Sequence, residues 1–176
     1  MFFSILIMVV YMYYANNFLA FSIFGHAFET VIYKILKVTN KSGFMYLFWT
    51  PFYGTGVVID ILVYKYLSKK IKNKKKRIIV LFLSLFIILS LLEYIGGLLL
   101  LKLFNKVMWS YTNFPFHIGR YVSIPTSLLW VIMSFFYLFV VKKYSDRLIK
   151  KINPLITIIL CFIFLCDIFF SIIKLS

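Results

Sequence analysis

Polar residues in this chain gather at a few breaks, and long unbroken apolar stretches run between them. A helix needs roughly 20 apolar residues to cross the hydrocarbon core of a bilayer. Five stretches approach that length, at residues 2–24, 46–66, 78–101, 121–141 and 154–173. Runs such as IIVLFLSLFIILSLL, at 78–92, are apolar all round and do not alternate, which argues against a membrane β-barrel. With no water in hydrocarbon, the amides of each stretch must bond within it, so each is predicted to be a helix. The expected fold is all-α: a polytopic membrane helical bundle of about five transmembrane helices, forming one integral membrane domain over residues 1–176. No repeat or linker divides it.

Two of the breaks carry more than polarity. WTPFYGTG places Pro51, Gly54 and Gly56 inside the second stretch. Proline removes a donor and glycine loosens a helix, so this motif predicts a kink, a helix start or a re-entrant turn. Close helix packing through the two glycines accounts for it equally well. Residues 102–120 hold Trp109, Tyr111, Phe114 and Phe116 with Pro115 and Gly119, too many turn formers for a plain helix end. They predict an ordered hairpin or an interfacial aromatic loop between helices three and four.

Composition excludes a soluble domain. Hydrophobic residues make up 63% and charged ones 14%, with a mean hydropathy of +0.97, too few polar groups to coat a water-facing surface. The net charge of +15 would suggest nucleic acid, but its distribution points elsewhere. Thirteen of the 20 basic residues fall at Lys65–Arg77 and Lys142–Lys151, as the positive-inside rule requires of cytoplasmic loops. That predicts an N-terminus inside, a C-terminus outside and five crossings, with lysines beside anionic lipid headgroups. The first segment has no opening lysine or arginine and no small-residue cleavage site, so it is expected to be retained. Cys161 and Cys166 are five apart inside the last stretch and read as packing residues. They give no disulfide or metal signal.

The chain has five acids: Glu29, Asp60, Glu93, Asp146 and Asp167. Asp146, between Lys143 and Arg147, reads as a solvated loop residue. Charges inside spans are costly and usually face a protein interior. Counted from the basic loops, Glu93 and Asp167 lie towards the outer face, as do His26, Glu29, His117 and Arg120, whereas Asp60 lies deeper. Two readings stay open. Arg120, with Lys102, pairs with Glu29 or Glu93 to lock the bundle, or these groups line an outward pocket for a substrate, ion or proton. The candidate polar site is therefore His26, Glu29, Asp60, Glu93, His117, Arg120 and Asp167. Pro51, Tyr53, Gly54 and Gly56 shape the backbone beside it, and Trp109, Tyr111 and Phe116 form the interfacial loop. No nucleophile elbow, zinc pattern or phosphate-binding loop is present, so neither catalysis nor a cofactor or metal is expected.

GFMYLFWTPFYGTGVVI, at 43–59, resembles the GFLYGPxCPIYGxGA motif of the Putative ABC-transporter type IV, or CmpB-like, family of membrane proteins. Gly25 and Glu29 are similar to that family's G-W-x-x-E, and Leu92–Glu93–Tyr94 with Gly97 to its LEYxTG. Trp109, Tyr111, Pro115 and Phe116 resemble its WWDYSxxPFN. Gly119–Arg120 with Ser127, Leu128 and Trp130 resemble its GRIC-x-x-x-SLxWG, and Asp167 fits its aspartate in the last span. The motifs occur in order over almost the whole chain. Leu47, Phe48 and Thr50 replace the family's Gly, Pro and Cys, Leu101 a Glu, Ser110 an Asp, and His117 an Asn.

The resemblance implies a bacterial cell-membrane protein acting as a permease component of an ABC transporter. The chain contains no GxxxxGK[ST], so a separate ATP-binding subunit is expected on the cytoplasmic segments 68–77 and 142–152. A second copy or another membrane subunit would complete a pore. One alternative is a non-transporting accessory, sensor or immunity protein that binds lipid or peptide. Another is a small lipid-modifying enzyme built on Glu93, His117 and Arg120.

Overall fold

A computed structural model of the chain describes residues 2–35, 37 and 45–175. The elements are α1 (Phe2–Ile35), α2 (Pro51–Lys70), α3 (Lys74–Phe104), β1 (His117–Ile118), β2 (Val122–Ser123) and α4 (Ile124–Phe136). A π-helical turn (Tyr137–Val141), α5 (Lys142–Ile149) and α6 (Pro154–Leu175) follow. The fold is all-α apart from the two-stranded hairpin. Four helical segments are long and apolar enough to cross a membrane: Met8–Ile35, Lys74–Phe104, Ile124–Ile149 and Pro154–Lys174.

The helix ends follow local chemistry. Pro51 opens α2, where its missing N–H costs no helical bond. WTPFYGTG is thus a helix start, and residues 45–50 ahead of it are bent rather than helical. Asp60, Lys65, Lys69 and Lys70 keep α2 below the hydropathy of the other four segments. The Asn73 side chain caps α3 by accepting from the Lys76 amide at 3.1 Å. Ser123 caps α4, and Asn105 ends α3 in the left-handed conformation, at φ 49°.

The helices run further than the apolar stretches alone suggest. α1 continues to Ile35, so His26 and Glu29 lie within it rather than past its end. The basic segment after α2 shrinks to three non-helical residues, 71–73, and most of 142–152 becomes α5.

The chain divides into two compact units, Met1–Val58 with Lys143–Ser176, and Ile59–Lys142. In the first, Leu19, Met45 and Trp49 form a core, and Phe18, Leu160, Cys161, Phe164 and Ile168 pack against it. Cys161 thus has the packing role expected of it. The backbone of Gly54 rests directly on α1: a Cβ there would stand 2.2 Å from the Phe18 carbonyl oxygen. Gly25 likewise receives the Tyr53 ring. Asp146 is not simply solvated, because the Tyr13 hydroxyl donates to its Oδ1 at 2.7 Å. The short α5 half-buries this carboxylate beside α1.

In the second unit, α3 buries Leu81, Leu85, Leu89, Glu93, Gly97, Leu100 and Phe104, a stripe recurring at three- and four-residue intervals. α4 buries Ser127, Val131 and Ser134. The expected aromatic segment is an ordered hairpin. β1 and β2 pair antiparallel with His117 opposite Ser123, and the Tyr111 amide donates to the Arg120 carbonyl at 2.7 Å. Gly119 turns it at φ 63°.

Candidate functional site

Each acid in an apolar helix must find partners or remain costly, so the site is best built from its carboxylates.

In the first unit Asp167, 4% exposed on α6, holds the bent segment ahead of α2. Its Oδ1 accepts from the Tyr46 amide at 3.2 Å and its Oδ2 from the Leu47 amide at 3.1 Å. Ser171, one turn later, accepts from the same Tyr46 amide at 3.2 Å and donates to Asp167 at 3.5 Å. Lys174 sets its ammonium 4.3 Å from the centre of the Tyr46 ring. Bent backbone exposes amides that hydrocarbon cannot satisfy, and the carboxylate takes that part. The Tyr33 hydroxyl donates to Glu29 at 2.9 Å along the same helix, and the His26 ring stands edge-on to Phe48.

In the second unit Glu93, 6% exposed, lies midway along the α3 stripe. Its Oε1 accepts from the Tyr111 hydroxyl at 2.6 Å and from the Trp130 indole at 3.1 Å. Its Oε2 is buried with no partner among the described residues. The expected Arg120–Glu93 ion pair is therefore replaced by two neutral donors. A guanidinium on the hairpin sits at its exposed edge, whereas Tyr111 and Trp130 reach inward from the hairpin and from α4. Arg120 is exposed and lines an open groove with Tyr94. His117 is also exposed, with Nδ1 2.9 Å from the Gly119 carbonyl.

Asp60, 2% exposed on α2, is hydrogen-bonded by Ser134. Its Oδ1, like Glu93 Oε2, has no partner among the described residues. Trp130 and Ser134 are four apart and so share one face of α4. One turn before Trp130 that face also carries Ser127, which accepts from Ser90 of α3 at 2.8 Å. The π-helical turn begins three residues beyond Ser134. Such turns widen a helix and recur at functional sites. Asp60 and Glu93 are thus served by one face of one helix. His26, Glu29 and Asp167 belong to the other unit.

Sequence reasoning found the acids but missed their partners. Among those partners Ser134 carried a usable signal: with Ser127 it makes two small polar residues at i, i+7 in a largely apolar helix. The amides of Tyr46 and Leu47 carried none. Among the described residues no cluster of three or more His, Cys, Asp or Glu could hold a metal ion.

Buried acids, apolar helices and a closed hairpin define a multi-pass, all-α membrane protein. The family model described as Putative ABC-transporter type IV matches residues 16–173, and the chain belongs to that family. No curated protein and no solved structure matches the chain.

Proposed function

We propose that the chain is the membrane-embedded permease component of a transport system in the bacterial cell membrane. In this reading α2 supplies a fifth crossing, with the N-terminus inside and the C-terminus outside. The cationic segments 68–77 and 142–152 then face the cytoplasm, where a separate ATP-binding subunit docks. The chain itself carries out no covalent chemistry. The observation that carries the reading is the pair Asp60 and Glu93. Each is buried, each keeps a carboxylate oxygen without a partner among the described residues, and both attach to the Trp130–Ser134 face of α4.

A helix that needed only to pack would not keep two acids with spare acceptors, because each costs several kcal/mol when desolvated. A cation, or a cargo bearing hydrogen-bond donors, would satisfy both oxygens as it passed. Family membership supports a transporter-related role. The cationic ends of α2 and α3 support the docking surface. Lys74, Lys75, Lys76 and Arg77 crowd the N-terminus of α3, the end where a helix dipole disfavours positive charge. Anionic lipid or a partner's acidic surface offsets that cost.

The test is affinity purification of the tagged chain from native membranes in a mild detergent. Stoichiometric recovery of an ATP-binding subunit is expected, with its loss when Lys72, Lys75 and Lys150 are changed to Glu. Repeated recovery of the chain alone would sink the permease reading and favour a non-transporting accessory protein.

A further inference from the structure

We infer that the groove between α3 and the hairpin of the second unit is a binding site for one anionic phospholipid. The groove is open, holds about 220 Å³ and is lined by Tyr94, Leu98, Leu101, Arg120 and Tyr121. Two glycines build it. Gly97 lets the Tyr121 ring lie directly on α3, since a Cβ there would stand 2.4 Å from that ring. Gly119, at φ 63°, turns the hairpin against Tyr94, 3.3 Å from where its Cβ would be. Substitution at either position would close or tilt the groove.

Its chemistry has two parts. Arg120 brings an exposed guanidinium that makes no ion pair among the described residues. Tyr121 is 3% exposed, and its buried hydroxyl has no partner among the described residues. A phosphodiester would supply the anion for the first, and its oxygens or the neighbouring ester an acceptor for the second. Leu98, 43% exposed, and Leu101 continue the groove as an apolar track for an acyl chain.

Position selects the same ligand. Leu98 and Leu101 lie six and three residues before the end of α3, about 9 and 5 Å along its axis. In a membrane-crossing helix that is the level where headgroups meet hydrocarbon. Phe114, Phe116 and Ile118 are exposed on the hairpin beside it, as residues seated in an interface are. An amphiphile with an anionic head is the molecule abundant at that depth. This inference needs only the membrane location, not the transport reading.

Native mass spectrometry of the detergent-purified full chain tests it, with titration of phosphatidylglycerol, phosphatidylcholine and inorganic phosphate. One phosphatidylglycerol should bind in clear preference to phosphatidylcholine. Arg120→Gln should weaken it about tenfold, the loss of one charge-assisted contact. Tyr121→Phe should weaken it a few fold while leaving the lipid-free melting temperature unchanged or higher, since it removes a hydroxyl with no partner among the described residues. Leu98→Gln should weaken both lipids alike. Equal affinity for the two lipids, or unchanged binding by both Arg120→Gln and Tyr121→Phe, would overturn the site. Binding of inorganic phosphate without lipid would make it a free-anion site instead and overturn the lipid assignment.

Discussion

The two units each bury a carboxylate, yet they hold it with different materials. In the first, Asp167 is held by backbone amides and Gly54 rests on a backbone carbonyl. In the second, Glu93 is held by a phenol and an indole, and Gly97 faces an aromatic ring. Backbone cannot move without moving a helix, whereas side chains change rotamer at modest cost. The first unit is therefore built as a clamp and the second as a place where groups can rearrange. Glu93 and Asp60, with acceptors to spare, are on the adjustable side. Asp167, with both oxygens engaged, is on the fixed side.

The largest expected effect comes from breaking the clamp. Asp167→Ala would strand the Leu47 amide and leave the Tyr46 amide to Ser171 alone, and the loss of both bonds to the carboxylate costs about 4 kcal/mol. Its denaturation midpoint in sodium dodecyl sulfate should fall far below wild type. A wild-type midpoint would show that Ser171 and water replace the carboxylate.

Next is Gly54→Ala. Its methyl meets a carbonyl that only a shift of α1 or α2 can clear, so a loss of about 3 kcal/mol is expected. Gly97→Ala meets the Cγ of the buried Tyr121, the root of its ring, which clears only if the hairpin shifts on α3, and should lose roughly 2 kcal/mol. Thermal melting of the two variants side by side checks the order. A Gly97 variant less stable than the Gly54 variant would erase the distinction between the units.

The smallest effect on stability, and the sharpest test, is expected of Glu93→Gln. The amide oxygen can still accept from Tyr111 and Trp130, and the amide nitrogen replaces the oxygen that has no partner among the described residues. Stability should stay within about 1 kcal/mol of wild type. If Glu93 serves transport, coupled ATP hydrolysis with the co-purified subunit should nonetheless fall at least tenfold. A variant with full coupled activity would reduce Glu93 to a packing group.

Much of the fold was legible because its rules are local. Hydrocarbon thickness dictates span length, and the absence of water dictates helix, so apolar runs alone located four crossing segments. Even the start of α2 was among the readings offered by Pro51, Gly54 and Gly56. Asp146 shows where such reasoning stops. Its neighbours in sequence are cations, but its hydrogen-bond donor, Tyr13, lies 133 residues away. Glu93 and Arg120 looked like a pair by charge and by side of the membrane, yet Tyr111 and Trp130 took the carboxylate.

The sequence by itself determined that this is an all-α membrane protein of the Putative ABC-transporter type IV family, rich in cation at a few breaks and sparing of acid. Periodicity, helix caps and motif order are written in consecutive residues, so neighbours along the chain suffice to read them. Only the tertiary structure decided which acids are fully satisfied and which keep an open oxygen. Those partners stand 18, 37 and 120 residues apart for Tyr111, Trp130 and Leu47, and a hydrogen bond depends on ångströms of approach that no local pattern encodes.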